Sequence, residues 1–395
     1  MLLGIVGRPN VGKSTFFKAC TLAEVLIAPY PFATIKANHG IGYVKIDCID
    51  KEFKVQCNPR TGFCLNHKRF VSVELMDVAG LVPGAHKGKG LGNQFLDDLR
   101  QADAFIHIVD ASGKTDVEGR MTENYDPAVD VRFLEEELDL WYYGLMKKVW
   151  FAFARKMEME KGQFHEAVAK QFSGLKVDEF MVKKVVLSLG FNVEKPASWT
   201  DEQVFKFARE LRKLSKPMII AANKIDDAKA QENFKKLREE FPGYMIIPCS
   251  ADSELALREA AKAGLINYIP GERDFKLKGQ VNDQQKAALE KIKKNVLDQF
   301  ADGTGVQAVL NAAVFDLLKY IAIFPAGAYK LADKDGNILP DCFLLPPGST
   351  ALDFANKIHT DLGKNFVKAI DARTKMAYGR DHKLKNGDAL EIMVK

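Results

Sequence analysis

The chain has 395 residues, of which 47% are hydrophobic and 28% are charged, so it is long enough for roughly two to three folded domains and unlike disordered or fibrous proteins. The 57 basic and 52 acidic side chains give a net charge of +5, a mild excess that permits nucleic-acid binding without implying it. No apolar run reaches the roughly 18 residues of a membrane helix. The six cysteines are scattered, and we expect a cytoplasmic protein without disulfides.

Short apolar runs of strand length occur at five places before residue 250, and each ends at a polar or glycine-rich turn. They span residues 2–6, 71–77, 105–110, 218–223 and 245–249. Helical patterns lie between several of them, which favours an α/β fold with a doubly wound, mostly parallel sheet. We assign residues 1–128 and 215–280 to this domain.

A long stretch separates the third apolar run from the fourth, where one crossover helix would suffice. The sequence therefore predicts a helical insertion at 129–214, with helical periodicity at 131–153, 158–172, 183–189 and 201–214. We expect an antiparallel helical hairpin that projects from the sheet. Two further helices, 284–300 and 305–320, are expected to form a connecting region at 281–320.

Residues 321–395 differ in character from the preceding chain. The predicted order is strand, turn at 335–337, strand, helix at 350–362, strand at 366–371, turn at 386–387 and strand at 390–394. This order indicates a small, separate α+β domain.

The most specific motif follows the first predicted strand. Residues 7–14 read Gly-Arg-Pro-Asn-Val-Gly-Lys-Ser and match G-x-x-x-x-G-K-[ST] between a strand and a helix. Backbone N–H groups of such a loop face phosphate oxygens, the lysine reaches the β- and γ-phosphates and the hydroxyl ligates Mg²⁺. A glycine-rich turn without a ligand is the alternative. The predicted nucleotide-binding residues are Arg8, Pro9, Asn10, Val11, Gly12, Lys13, Ser14 and Thr15.

Two further segments are candidates for contact with the γ-phosphate. Residues 77–80 read Asp-Val-Ala-Gly at the end of a predicted strand, where Asp77 would hold Mg²⁺ through water and the Gly80 N–H would contact the phosphate. Thr34 can offer its hydroxyl to Mg²⁺ and its N–H to the γ-phosphate, although a plain loop threonine fits equally well. The predicted metal ligands are Ser14, Thr34 and Asp77, and the candidate catalytic residues are Lys13, Thr34, Gly80 and Asn10.

A base-recognition pattern follows the last two predicted strands. In Asn223-Lys224-Ile225-Asp226, the aspartate can accept hydrogen bonds from N1–H and the 2-amino group of guanine, and adenine has neither donor. In Ser250-Ala251-Asp252, the Ala251 N–H would face guanine O6. Four such elements in order at strand ends predict GTP binding. The predicted base-binding residues are Asn223, Lys224, Asp226, Ser250, Ala251 and Asp252.

Residues 7–15, Pro31-Phe32-Ala33-Thr34-Ile35, residues 77–85 and Gly88-Lys89-Gly90-Leu91-Gly92-Asn93 resemble the Obg-related P-loop GTPases. Within them, the chain is most similar to the YchF/Obg-like ATPase subfamily over nearly its whole length. The resemblance implies a P-loop NTPase domain, a helical insertion and a C-terminal TGS domain, a ubiquitin-like β-grasp module, at 321–395. It also implies ribosome binding, since related proteins bind ribosomes. Many YchF proteins have a degraded guanine motif and use ATP, whereas this chain keeps the intact motif.

Water activation is the least determined part of the chemistry. Ras-like enzymes place a water-orienting glutamine after Asp-x-x-Gly, and Leu81 occupies that position here, so we expect slow hydrolysis. Asn10 resembles an asparagine that coordinates potassium in related GTPases, although a loop-stabilising role fits as well. His86 is a second candidate near the water, with an exposed loop histidine as the alternative.

Two groups of residues stand outside the nucleotide motifs. Cys57, Cys64 and His67 have a loose C-x₆-C-x₂-H spacing, for which a structural zinc would need a fourth ligand from Cys48, His39 or elsewhere; ordinary hairpin residues are the alternative. The second group is a set of basic and aromatic residues in the insertion, which predicts either an RNA-facing surface or solvated lysines over an aromatic core. Its members are Lys147, Lys148, Arg155, Lys156, Lys161, Trp150, Phe151 and Phe153.

The sequence favours a Mg²⁺-dependent GTPase switch that binds GTP and GDP, hydrolyses GTP slowly and acts on the ribosome or RNA, with potassium as a candidate second cation. One alternative is a YchF-like ATPase. Another is a nucleotide-regulated binding module for RNA or the ribosome, in which hydrolysis is incidental and Leu81→Gln or Asn10→Ala would change turnover without altering partner release.

Overall fold

The computed structural model describes residues 1–22, 38–78, 99–327, 331–333 and 336–395. The N-terminal strands are β1 (Leu2–Val6), β2 (His39–Asp47), β3 (Phe63–Leu65), β4 (Lys68–Asp77), β5 (Ala104–Asp110), β6 (Met218–Asn223) and β7 (Ile246–Pro248). Within the described ranges they form one sheet in the order β2-β4-β1-β5-β6-β7, with β3 paired to β4. All five predicted apolar runs form strands, so the α/β fold with a mostly parallel sheet is confirmed.

The antiparallel edge of this sheet was not predicted. Strands β1, β4, β5, β6 and β7 pair in parallel, whereas β2 and β3 each pair antiparallel with β4. The β2 segment contains two glycines, which are depleted in strands, so its local sequence indicates a strand less clearly. All nine residues of β2 pair with β4, from His39 opposite Met76 to Asp47 opposite Lys68. This pairing, which the local sequence does not show, stabilises β2 as a strand.

Helices cover both faces of the sheet. They are α1 (Lys13–Thr21), α2 (Ala128–Glu160), α3 (Phe164–Gln171), α4 (Glu179–Leu189), α5 (Asp201–Ser215), α6 (Ala230–Glu240) and α7 (Ala251–Lys262). Side chains alternate along β1, so Leu3 and Ile5 pack in one core with Phe16 of α1, and Leu2 and Val6 pack in another with Leu134 of α2. This layering fixes the carboxyl ends of the parallel strands at one edge of the sheet.

The insertion is a bundle of four helices, not a two-helix hairpin. Helices α2 and α5 run antiparallel, since Arg212 pairs with Asp139 whereas Lys147 pairs with Asp201 at the far end. Trp150 of α2 stacks on Trp199 at 5.2 Å between ring centroids and leads an aromatic core between the helices. The long pair that was predicted is therefore present, with α3 and α4 packed against it.

The helix predicted at 158–172 is wrong at its start. Helix α2 continues to Glu160, and the chain turns at Lys161, whose φ of 47° lies in the left-handed region, before α3 begins at Phe164. The N–H of the next residue, Gly162, bonds the Met157 carbonyl, which completes the helix-ending turn around the left-handed Lys161. Helix α4 begins at Glu179, four residues before the prediction, because the Asp178 side chain caps the Met181 N–H at 2.8 Å.

After α7, a two-stranded ribbon of β8 (Ile266–Tyr268) and β9 (Phe275–Leu277) leads to helices α8 (Asp283–Ile292) and α9 (Val306–Asn311). Both predicted connecting helices are shorter than expected, because each passes into a π-helical turn, at Lys293–Leu297 and Ala312–Leu317. Helix α9 packs under the main sheet, where Gln307 donates to the Tyr43 carbonyl of β2 at 2.8 Å.

The C-terminal part has its own mixed sheet. Its elements are β10 (Ile321–Pro325), β11 (Phe343–Leu345), α10 (Ala351–Ile358), α11 (Thr360–Lys364), β12 (Phe366–Asp371), β13 (Ala377–Tyr378) and β14 (Ala389–Val394). The strand order is β11-β10-β14-β12-β13, with β10 and β14 parallel. The α+β layout is confirmed, and the single helix predicted at 350–362 is divided at the extended residue His359.

No helix in the described ranges combines the length and apolar character needed to cross a membrane. The division into 1–128 with 215–280, 129–214, 281–320 and 321–395 stays a proposal about domain limits.

Candidate nucleotide-binding site

The loop between β1 and α1 has a backbone that requires glycine at two positions. Gly7 and Gly12 have φ angles of 150° and 100°. A Cβ on Gly12 would lie 2.3 Å from Asn223 Nδ2, and one on Gly7 would lie 2.5 Å from the Ile108 carbonyl oxygen. Gly12 also caps α1 without a side chain. The helix therefore begins with N–H groups that no capping side chain satisfies, which is the arrangement that binds phosphate.

Lys13 lies over this loop. Its ammonium donates to the Arg8 carbonyl at 2.7 Å, and burial lowers its pKa, an effect that the nearby Asp77 carboxylate partly offsets. A buried cation beside the uncapped start of a helix attracts an anion. These contacts hold Lys13 beside the loop, and its reach to the β- and γ-phosphates stays a prediction of the motif.

The Arg8 side chain leaves the loop and turns toward the helical insertion. Its Nε donates to Asp130 of α2 at 3.1 Å, and its guanidinium lies 3.6 Å from the centre of the Phe133 ring. Both members of the pair are buried, and Tyr125 also donates to Asp130. Any contact between Arg8 and a nucleotide is consequently made by its backbone.

Ser14, in the first turn of α1, is hydrogen-bonded to Asp77, the last residue of β4. The Ser14 hydroxyl donates to Asp77 Oδ2 at 3.1 Å, and Asp77 ends β4 opposite Ile5 of β1. Burial raises the pKa of Asp77, whereas the Ser14 hydrogen bond and the Lys13 charge lower it. A hydroxyl and a carboxylate are hard oxygen donors, so this pair fits the ligand preference of Mg²⁺.

Asn10 is tied to a neighbouring loop. Its Nδ2 donates to the Gly119 carbonyl at 2.8 Å, and its φ of 62° lies in the left-handed region. The contact fits the loop-stabilising alternative for Asn10. The potassium alternative involves its other side-chain atom, Oδ1.

Asn223, at the end of β6, connects the phosphate loop with the base motif. Its Nδ2 donates to the Val11 carbonyl at 2.9 Å, and its Oδ1 accepts from the Ala251 N–H at 3.0 Å. Asn223 is 3% exposed, so both bonds are shielded from water. The Ala251 N–H was predicted to face guanine O6; it is directed at Asn223 here, because Ala251 opens α7 beside the end of β6.

Asp226 is exposed, and Ser250 orients it. The Ser250 hydroxyl donates to Asp226 Oδ1 at 2.8 Å and caps α7 by accepting from the Ser253 N–H. Asp252 lies exposed in the first turn of the same helix. The arrangement presents a fixed carboxylate to solvent, beside the loop that Asn223 holds.

Sequence reasoning missed Asp110, the buried end of β5. It accepts from Lys224 Nζ at 2.7 Å, and the same ammonium reaches the Asn10 carbonyl at 3.2 Å. Asp110 lies opposite Asn223 in the sheet register. Two features of the sequence could have indicated Asp110. It ends an apolar run, and Ser112 follows two residues later, whose N–H donates to the Asp110 carboxylate.

Several of the predicted residues lie outside the described ranges. These are Thr34 with residues 30–33 and 35, Gly80, Leu81, His86 and the glycine-rich segment 84–92.

Comparison with known families covers most of the chain. A model described as "50S ribosome-binding GTPase" matches residues 2–132, one described as "Obg-like GTPase YGR210-like, G4 motif-containing domain" matches 221–327, and a TGS domain model matches 331–394. The ribosome-binding ATPase YchF of Bacillus subtilis is 31% identical over 93% of this chain and 87% of its own. This chain belongs to the YchF/Obg-like family of P-loop GTPases.

Two further proteins are more similar to this chain than Bacillus subtilis YchF is. An uncharacterized GTP-binding protein of Methanocaldococcus jannaschii is 49% identical over 99% of this chain and 98% of its own. The crystal structure of a GTP-binding protein from Pyrococcus horikoshii is 42% identical, with a TM-score of 0.80 and full coverage of both chains. The Schizosaccharomyces pombe YchF GTPase, at 23% identity and a TM-score of 0.59, shares the fold.

We predict that Asn223→Ala destabilises this YchF/Obg-like protein by about 2–4 kcal/mol, because it leaves the Val11 carbonyl and the Ala251 N–H buried without partners. Urea unfolding measures the change. The matched control is Asn267→Ala, at an exposed position of β8, which should shift the free energy of unfolding by less than about 0.5 kcal/mol. Equal effects of the two substitutions would contradict the role given to Asn223.

Proposed function

We propose that this protein is a Mg²⁺-dependent GTPase that hydrolyses GTP slowly and uses the bound nucleotide as a switch on the ribosome or an RNA partner. The P-loop GTPase family to which it belongs hydrolyses nucleoside triphosphates. The observation that carries the choice of GTP is the exposed Asp226 carboxylate, held by Ser250 at the edge where Asn223 joins the base motif to the phosphate loop.

The base choice rests on hydrogen-bond complementarity. A carboxylate at Asp226 accepts from the N1–H and the 2-amino group of guanine, whereas adenine offers an unprotonated N1 and no amino group at that position. Pairing the carboxylate with adenine would therefore leave an acceptor unsatisfied. Some relatives carry the name ATPase, among them Bacillus subtilis YchF and rat Obg-like ATPase 1, and ATP use is the competing proposal.

Phosphate and metal binding follow from the loop and the Ser14–Asp77 pair. Lys13 and the α1 N-terminus would hold the phosphates, and Ser14 and Asp77 would hold Mg²⁺, with Thr34 as the proposed third ligand. When bound, Mg²⁺ neutralises charge on the β- and γ-phosphates. Gly80 is proposed to contact the γ-phosphate through its N–H.

Slow hydrolysis follows from the leucine at position 81, which has no group to orient water. The Asn10 amide nitrogen is already bonded to Gly119, so a potassium ion would be coordinated through Asn10 Oδ1. His86 remains a second proposed group near the water.

The test of base choice is a competition titration with GTP, ATP and XTP in Mg²⁺. Wild-type protein should prefer GTP to ATP by at least about 100-fold. Asp226→Asn should lose GTP affinity by about 10- to 100-fold and gain affinity for XTP, because the asparagine amide can donate to the 2-carbonyl of xanthine. Asp283→Asn, at an exposed aspartate in the first turn of α8 and outside the predicted site, is the control and should change neither.

The proposal that the site selects guanine would be contradicted if ATP bound as tightly as GTP or more tightly and Asp226→Asn did not change its affinity. The competing proposal of ATP use would then hold. If Asp226→Asn lost affinity for GTP, ATP and XTP alike, Asp226 would be needed for folding and not for recognition of the base.

The structure divides the basic and aromatic residues of the insertion. Trp150 is buried in the aromatic core, Lys147 pairs with Asp201 and Lys156 pairs with Glu160. What remains on the outer side of α2 is Lys148, Phe151 and Arg155, at positions i, i+3 and i+7, which lie on one helix face. Phe151 is 56% exposed, and the Arg155 guanidinium lies 4.1 Å from its ring centre.

This exposed face combines positive charge with a stacking surface, as single-stranded RNA loops require. A bacterial relative is named a ribosome-binding ATPase. We therefore assign the Lys148–Phe151–Arg155 face to contact with ribosomal RNA.

Ribosome co-sedimentation tests the assignment. The double variant Lys148→Glu/Arg155→Glu should lower the bound fraction about tenfold at moderate salt, since two phosphate-facing charges are reversed. Lys235→Glu, an exposed charge on α6, should leave binding within about twofold. If both variants sediment like wild type, RNA contact lies elsewhere on the protein.

A further inference from the structure

Three cysteines and an aspartate meet in a compact cluster beside the main sheet. Cys48 follows β2, Asp50 lies in the helical turn Ile49–Lys51, Cys57 lies in the next loop and Cys64 lies in β3. Their ligand atoms all lie within 4.8 Å of one another. Three of the four are buried, and Cys64 is half-buried. The nucleotide site uses none of them.

The cluster differs from the set considered on sequence grounds. Cys57 and Cys64 are members, as predicted, and Cys48 joins them as one of the proposed additional ligands. His67 lies outside the cluster, where its Nδ1 contacts Asp50 Oδ1 at 2.9 Å. Asp50 Oδ2 accepts from the Cys57 N–H at 3.0 Å. These two contacts fix the carboxylate on the cluster and make His67 a positioning residue.

The spacing of the sulfur and oxygen atoms fits one tetrahedral ion. Zinc–sulfur bonds of about 2.3 Å place two sulfurs of a tetrahedron about 3.8 Å apart. The Cys48 and Cys57 sulfurs are 3.5 Å apart, and Cys64 Sγ lies 3.8 Å from Asp50 Oδ2. Thiolates with one carboxylate are ligands that favour Zn²⁺ among the common divalent ions.

Arg69 supplies an independent argument from charge. Four arginines are buried to 3% exposure or less in the described part of the chain, and three of them pair with a carboxylate: Arg8 with Asp130, Arg212 with Asp139 and Arg258 with Glu254. Arg69 is the fourth.

The described residues give Arg69 no carboxylate partner. Its Nη1 instead reaches Cys57 Sγ at 3.5 Å and the Leu339 carbonyl at 3.0 Å, and its Nη2 reaches the Pro340 carbonyl at 3.2 Å. A buried guanidinium needs a negative charge nearby. A metal-bound set of three thiolates and a carboxylate carries net negative charge and satisfies that need.

We propose that Cys48, Asp50, Cys57 and Cys64 bind one structural Zn²⁺. The ion would join the end of β2, the segment between β2 and β3, and β3 itself into a rigid unit. Through Cys57 and Arg69, this unit is bonded to residues 339–340 of the C-terminal part, and Cys48 and Cys57 share a core with Phe324, Leu339 and Ala389. The zinc site therefore fixes the C-terminal domain against the edge of the GTPase sheet.

Metal analysis of the full-length protein, purified without a histidine tag, tests the proposal. We expect about one zinc per chain, and Co²⁺ in its place should give the intense visible bands of a tetrahedral thiolate site. Cys57→Ser and Cys64→Ser should each lower the zinc content about tenfold or more. Because Cys64 is half-buried on the short strand β3, its variant is the one expected to stay folded.

Cys342→Ser is the control. Cys342 lies in the same core region but outside the cluster, so its variant should keep zinc at the wild-type level. Chelation of the zinc should raise amide hydrogen exchange at residues 337–342 and leave exchange at β6 unchanged.

Three results would overturn the proposal. One is protein that binds neither zinc nor cobalt while its thiols are reduced. Another is zinc retained by both Cys57→Ser and Cys64→Ser. The third is a mass two hydrogens below that of the reduced chain, with Cys48 and Cys57 joined as a disulfide.

Discussion

The side-chain amide of Asn223 is the interaction on which the nucleotide site depends. Asn223 lies at the end of β6. Its amide N–H donates to the Val11 carbonyl of the phosphate loop, and its amide oxygen accepts from the Ala251 N–H at the start of α7. The same close approach excludes any side chain at Gly12. Because these bonds are buried, each is worth more than an exposed hydrogen bond and is costly to leave unmade. Two loops that are far apart in sequence are thereby held at one spacing.

The other contacts of the site are arranged around this bridge. Lys224 adds a second connection, because its ammonium touches both Asp110 and the Asn10 carbonyl. Ser250 fixes Asp226, and Arg8 connects the phosphate loop to Asp130 of the insertion. In the proposed switch, Arg8 links the phosphate loop directly to α2 through Asp130 and Phe133. Helix α2 also carries the Lys148–Phe151–Arg155 face.

Motifs at strand ends were predictable from sequence, because parallel strands bring their carboxyl ends to one edge and chain order then places the groups. Asn223, Ser250 and the 7–14 loop come together for this reason. The direction of the Arg8 side chain was not predictable, since Asp130 is far from it in sequence and belongs to another element. The same holds for Asp110, whose partner Lys224 becomes visible only in the sheet register.

The cysteine cluster shows the same limit. The short sequence spacing between Cys64 and His67 favoured His67 as a ligand. In the structure His67 contacts Asp50 instead, and Cys48 joins the cluster from the end of β2. The antiparallel pairing of β2 and β4 creates this neighbourhood, and local sequence carries little sign of that pairing. Helix limits failed where a single cap or left-handed residue decided them, as at Asp178 and Lys161.

A crystal structure of the protein with Mg²⁺ and a non-hydrolysable GTP analogue tests the central claim most directly. The account predicts an unchanged Asn223 bridge, Asp226 within about 3 Å of guanine N1 and the 2-amino group, and Lys13 moved from the Arg8 carbonyl to the phosphates. A base bound away from Asp226, or a ligand that breaks the bonds from Asn223 to Val11 and Ala251, would contradict it.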